Sequence, residues 1–436
     1  MPIKMPTFPE FLSRALTPFH VVDEVSFLLR EKGFLPLAEG ETWALKQGGK
    51  YYVTRGGASL IAFCVPKCTP VGFQMAVAHT DSPCFQITDA VTDGRYTRLC
   101  VEKYGGMLCS TWFDRPLRVA GRVFVAEGER VVEKRLSLDG NVVIPSVALH
   151  HNREANEKVM GNVAVDLLPV FKTGDDTASF EMAVASAAGV ASDAVLGRDL
   201  YLVSDSAPFL WGDDLVSAPR LDDLASVYAL LEGLLSTDIF SSVPVLALLN
   251  SEEVGSVGAE GADSDFLSLA LKRIAHATDE GGDAYAKMLA SSFALSCDSA
   301  HAVHPAHPEL SDKGEGRCYF NRGIVIKENA AKRYTTDGFS AAMLRKLCLD
   351  ASIPTQVYRN RADMPGGATL GCVALSHVSV PMADLGLATL AMHSAVETAG
   401  VKDVTYLSQL AKRYFSVSLL RDAHGARWQG AKEESL

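Results

Sequence analysis

Apolar residues recur at helical spacing from Phe8 to Lys32, and a polar turn from Glu39 to Thr42 then leads into strand-like pieces in WALKQGGKYYVTRGGASLIAFCV. The run GFQMAVAHTDSP, Gly72 to Pro83, reads as a buried strand closing in a polar loop that carries His79 and Asp81. From about Thr88 to Asp213 long helical patterns are scarce. Short alternating segments such as RVAGRVFVAEGERVVEKRLSL take their place, and the AEGE turn predicts a hairpin. In SAPRLDDLASVYALLEGLLS an apolar-periodic helix returns, with Asp222 and Asp223 in its first turn. VPVLALLN, FALSCD and TQVY then alternate with helical stretches, among them GFSAAMLRKLCLDA. Apolar strands separated by helices predict an α/β fold with helices on both faces of a sheet, and sites in such sheets form at strand ends. The chain divides into an α/β domain of residues 1–88 and 214–436 and an inserted, mostly β domain of residues 89–213.

Composition narrows the classes. A chain of 436 residues with 48% hydrophobic and 21% charged positions is globular and long enough for two domains. Its net charge of −11 argues against nucleic acid and anionic membranes as partners, since both demand basic patches. The nine cysteines fit neither CxxC zinc spacing nor a secreted scaffold and read as reduced thiols. No signal-type apolar region or membrane-length run is present, so a cytoplasmic protein is expected.

Five stretches end apolar strands or open helices with metal-type ligands: VAHTD (His79, Asp81), RLDDL (Asp222, Asp223), SEEVG (Glu252, Glu253), SCDSAHAVH (Asp298, His301, His304) and AMHSAVE (His393, Glu397). Each alone is more often a structural histidine or a helix-capping acid. Together they place several carboxylates against the core side of a sheet, where ionised acids are costly without compensation. Divalent cations would compensate. Carboxylates and imidazoles without thiolates suit zinc, manganese or cobalt, and two ions sharing a carboxylate suit hydrolysis. Side chains of neighbours leaving an extended strand diverge, so one of Glu252 and Glu253 can bind metal while the other faces water as a base.

VAHTDSP, SAPRLDD, EEVGS, DSAHAVHP, IKENAAKRY and MHS, in this order between Val77 and Ser394, resemble the aspartyl aminopeptidase family of metallopeptidases. The resemblance implies a three-layer αβα zinc-peptidase-like domain with the insert serving dimerisation. It implies two divalent ions, most often zinc, bridged by Asp222. His79 and Asp298 would complete one ion, and Glu253 and His393 the other. Glu252 would be the general base, and Asp81 the acid orienting the His79 imidazole. Peptides with an N-terminal Asp or Glu would be the substrates, with Lys327 and Tyr334 meeting the acidic side chain. His150 matches a histidine that reaches a neighbouring subunit's site, within dimers that assemble into a tetrahedral dodecamer. The sequence departs from the family pattern at Asp223, where Asn is usual, at Ser251, at Gly366–Gly367, and after His150, where His151 and Glu154 follow. Two alternatives are a di-metal aminopeptidase of broader specificity and a non-catalytic metal-binding assembly protein.

Overall fold

The apolar run from Phe8 to Lys32 folds as two helices, Phe8–Arg14 and Pro18–Glu31. Pro18 opens the second helix and holds Thr17 extended, because proline lacks an N–H and crowds the residue before it. The computed structural model describes residues 4–140, 142–158, 161–174, 176–278 and 282–430. The outer ends of the two expected α/β segments, residues 1–3 and 431–436, lie outside these.

Nine strands form the main sheet in the order Leu35–Leu37, Lys50–Arg55, Ser59–Cys64, Val243–Leu249, Phe73–His79, Phe293–Cys297, Met382–Gly386, Ile324–Lys327 and Thr355–Tyr358. The central four, from Val243–Leu249 to Met382–Gly386, are mutually parallel. Val243–Leu249, Phe73–His79 and Phe293–Cys297 are buried along their whole length, as unbroken apolar runs covered on both faces must be. Alternate residues feed two cores. Ala76, Leu246 and Leu295 pack with helices Leu221–Leu235, Gly338–Asp350 and Val401–Phe415. Met75, Val77 and Val245 pack with Phe266–Thr278, Ala284–Ala290 and Leu370–His377. This is a three-layer αβα domain.

Helices Leu221–Leu235 and Val401–Phe415 approach closely at Gly233. A methyl group there would overlap Ala411 Cβ and come within 2.8 Å of the Lys412 nitrogen. Gly233→Ala is therefore expected to destabilise. The helix-propensity gain of about 1 kcal/mol is outweighed by an overpacking cost of about 1–3 kcal/mol. Denaturant unfolding checks this, and a more stable variant would contradict the close packing.

A second sheet, antiparallel throughout, has the order Arg130–Ser137, Leu117–Glu127, Val195–Ser204, Cys84–Thr92, Tyr96–Tyr104 and Val170–Thr173. Its core of Phe85, Leu99, Val123 and Leu200 is closed by Phe180 from helix Ala178–Ala188. The AEGE turn does join a hairpin. The first strand of this sheet begins at Cys84. The hairpin Phe209–Trp211 and Leu215–Ala218 belongs instead to a third sheet, with Glu397–Gly400, Ala388–Leu390 and Ala300–His301. That small sheet carries Glu397 and His301 up to the ends of the central strands.

Candidate metal centre

Parallel strands bring their carboxyl ends to one edge, and the acids and histidines of interest collect there. His79 is the last residue of Phe73–His79, and Asp298 follows Phe293–Cys297. Asp222 and Asp223 stand at the start of Leu221–Leu235, but with non-helical backbone (φ −82°, ψ 105° and φ −118°, ψ 23°). They precede the helix proper and do not form its first turn. Ser251 takes a left-handed conformation (φ 64°) after Val243–Leu249, so Glu252–Val254 form a 3₁₀ turn. The two glutamates therefore diverge as members of a turn, and strand alternation does not set their directions.

Asp222 is the hub. Its Oδ1 lies 3.3 Å from His79 Nε2, and its Oδ2 lies 3.5 Å from His393 Nε2. His79 Nε2 is 3.8 Å from Asp298 Oδ1, and His393 Nε2 is 3.5 Å from Glu253 Oε1. Ligand atoms about 2.0–2.2 Å from one ion sit about 3.3–3.6 Å apart around a tetrahedron. Three of the four separations match that spacing, the His79–Asp298 distance is slightly longer, and all are long for direct hydrogen bonds. A looser grouping, within 4.8 Å, places His79 with Asp222 and Glu253, and Asp222 with Asp223 and Asp298. The shorter separations favour His79 with Asp298 and His393 with Glu253, because ligand atoms of one ion must lie near tetrahedron edges.

The carboxylates crowd. Asp81, Asp222, Asp223, Glu252, Glu253 and Asp298 gather around His79, His393 and Lys327, with His301 on the same cleft. Burial pushes the Glu252 carboxyl up to about 8, with Asp298, Asp222 and Asp81 adding to the rise and His79 opposing it. Burial likewise raises Glu253 and Asp223. Burial would lower His393, yet Asp222 and Glu253 carry it up to about 10, and His79 is raised by Asp222 and Asp298 in the same way. Burial would raise Asp222, but its two histidine partners hold it below the ordinary carboxylate range. Oδ1 of Asp222 and Oδ1 of Asp223 are buried without a hydrogen-bond donor among the described residues. Buried anionic oxygens with no donor fit a place built for cations.

Two supporting acids organise the backbone. The Asp81 carboxylate accepts the N–H groups of Glu252 and Glu253, both at 3.1 Å, and the Tyr104 hydroxyl at 2.9 Å. His79 Nδ1 meets the Asp81 main-chain carbonyl at 3.0 Å, closer than its carboxylate at 3.5 Å. Glu397, 2% exposed, accepts the Asp222 N–H at 2.9 Å and the His393 N–H at 2.8 Å. It thereby fixes the hub and one of its histidines together. The AMHSAVE stretch displayed Glu397 but gave it no task, and its place four residues after His393 was the available signal. Tyr104 offered none.

Lys327 and Tyr334 line the same cleft as Glu252, Glu253, Asp298 and His393, as does His301. Lys327 is buried, its Nζ 2.7 Å from the Ser299 carbonyl and 3.2 Å from Asp298 Oδ2, over the Tyr334 ring at 5.2 Å. Asp223 spends Oδ2 on the His79 N–H at 3.3 Å. His150 and His151 are exposed on the insert and do not line this cleft.

Residues 11–415 match the aminopeptidase I zinc metalloprotease family (M18). The chain belongs to the M18 aminopeptidases. Among its relatives is a probable M18 family aminopeptidase 2 of Clostridium novyi, 36% identical over 425 residues, covering 94% of this chain and 97% of the relative. A probable M18 family aminopeptidase 2 of Azotobacter vinelandii is also 36% identical, with the same coverage. A chain of the cryo-EM structure of the Ape4 and Nbr1 complex superposes with a TM-score of 0.90 at 30% identity, over 94% of this chain and 84% of that one. The S. cerevisiae mApe1 dodecamer gives 0.81 at 25% identity, over 94% and 95%. Family and relatives make this M18 chain a metalloaminopeptidase, a hydrolase that binds divalent metal. No helix among the described residues of this M18 enzyme is long and apolar enough to cross a membrane.

Proposed function

We propose that this M18 aminopeptidase removes N-terminal aspartate or glutamate from peptides at a two-ion centre. The observation that carries the two-ion reading is the placement of His79 and His393 on opposite oxygens of Asp222. His79, Asp222 and Asp298 would hold one ion, and Asp222, Glu253 and His393 the other; zinc fits this donor set, with manganese or cobalt as substitutes. When bound, such ions polarise the scissile carbonyl and make water a nucleophile near neutral pH. Glu252 takes a proton from the attacking water and hands it to the leaving amine. Asp81 keeps Glu252 in place through the turn's backbone, and Glu397 holds Asp222 and His393 through their N–H groups. The cations would also draw the raised Glu252 carboxyl back down into its ionised, basic form.

Lys327, with Tyr334 beside it, supplies the charge for an acidic side chain, strengthened by its desolvated setting. One observation favours broader specificity: Asp298 and Ser299 already engage the Lys327 ammonium. Release of Asp, Glu and Leu from matched dipeptides separates the readings. A charged pair worth about 1.5–3 kcal/mol gives roughly a tenfold to hundredfold acidic preference, lost in Lys327→Ala. Equal rates on all three peptides would sink acidic specificity. Chelation is expected to abolish all release and zinc to restore it; bound metal with no release from any peptide would favour a non-catalytic role.

The yeast dodecamer supports a homo-oligomer here, and we read it as dimers in a tetrahedral dodecamer. Phe209, Leu210 and Trp211 form an exposed apolar tip, and Val147 and Leu149 are exposed beside His150, as assembly surfaces are. That position suits His150 to a neighbouring subunit's cleft. All nine cysteines are free thiols, which fits the cytoplasm.

A further inference from the structure

The inserted domain reaches the centre through a short segment, Tyr104 to Thr111, which continues from the strand Tyr96–Tyr104. Tyr104 donates to Asp81, whose carboxylate holds the glutamate turn. Gly105 has φ +80°, and a Cβ there would lie 3.0 Å from Glu253 Cβ and 3.4 Å from Glu253 Oε2. A Cβ on Gly106 would lie 3.9 Å from His393 Nδ1. The Leu108 N–H donates to the His393 carbonyl at 3.0 Å. Thr111 Oγ1 accepts the Ala395 N–H at 3.0 Å and donates to the Leu108 carbonyl at 2.7 Å.

From Gly105 onward these contacts fall on Glu253, His393 and their immediate supports, whereas Asp81 serves both His79 and the glutamate turn. His79 and Asp298 draw theirs from the α/β domain: the Asp81 carbonyl, Lys327, and the Leu385 carbonyl that accepts the Asp298 N–H at 3.0 Å. His393 moreover sits at φ +65°, a conformation that costs a non-glycine residue about 1–3 kcal/mol and persists only where its surroundings impose it. Glu397 on its N–H and Leu108 on its carbonyl impose it here.

We propose that Gly105–Thr111 is a positioning strap through which the inserted domain sets the ion affinity of the Glu253–His393 half, leaving the His79–Asp298 half independent. The proposal rests on the two-ion reading. Its test is zinc titration of chelator-stripped, full-length protein against a chromophoric chelator, with bound equivalents counted by atomic emission. Gly105→Ala, which presses on Glu253, is expected to weaken one equivalent about 10–100-fold, the usual cost of disturbing a ligand's support, and to leave the other unchanged. Thr111→Val, a milder change that keeps the glycine, is expected to act in the same direction should Gly105→Ala misfold. Gly94→Ala is the control: it has φ +86° and nothing within 4 Å, so it bears the strain without the contact and is expected to titrate as wild type. Two equivalents of unaltered affinity in Gly105→Ala and Thr111→Val would overturn the strap. So would parallel weakening of both equivalents, or an equal effect of Gly94→Ala. A wild-type protein that takes only one equivalent would remove the two-ion reading itself, and the strap with it.

Discussion

Glu252→Gln is expected to bind zinc as wild type does and to lose on the order of 10²–10⁴ in kcat, the contribution of a positioned base. The substitution preserves shape. The turn is held by backbone N–H groups on Asp81, which the side-chain change does not touch. The amide can donate to the attacking water but cannot take its proton, so the loss falls on kcat with KM little changed. Metal content must be measured on the same preparation, because Glu253→Gln, one residue on, should lower kcat by releasing an ion. Turnover at the wild-type rate would remove Glu252 as the base, and loss of zinc would recast it as a ligand.

The largest effect is expected for Asp222→Ala. In the proposed two-ion centre one carboxylate serves both histidines, so its removal should strip both ions and reduce peptide hydrolysis to background. The fall in affinity should exceed the about 10–100-fold that an outer-shell change costs. Thermal unfolding gives a reading independent of activity. An ion at 1,000 times its Kd stabilises the folded state by about 4 kcal/mol, so zinc should raise the wild-type Tm and leave that of Asp222→Ala unmoved. A variant that still holds one equivalent tightly would show that Asp222 serves a single ion.

The layered α/β fold was legible because its strands are long apolar runs, Phe73–His79 and Val243–Leu249 above all, with helical periodicity between them. The hairpin at AEGE was legible from its turn. Local geometry was less so: tertiary contacts impose the left-handed Ser251 and the non-helical Asp222 and Asp223, and no residue preference announces them. Chemistry-bearing residues at strand ends stood out singly as weak signals and gained force from their order along the chain. What supports them did not stand out. Tyr104 lies in an ordinary strand of the other domain, and contacts 23 residues away at Asp81 leave no periodic trace. His150 marks a different boundary, since its proposed task lies on another copy of the chain.

Glu397 reaches back 175 positions along the chain to hold Asp222, which orders events during biosynthesis. While the chain is still being made, His79, Glu253 and Asp298 can leave the ribosome well before the carboxylate that fixes Asp222 and His393. A nascent chain ending short of residue 397 has the acids without their organiser, and such non-local pairing is slow to form. On the proposed assignment of ligands, ion loading thus waits for the segment that carries Glu397.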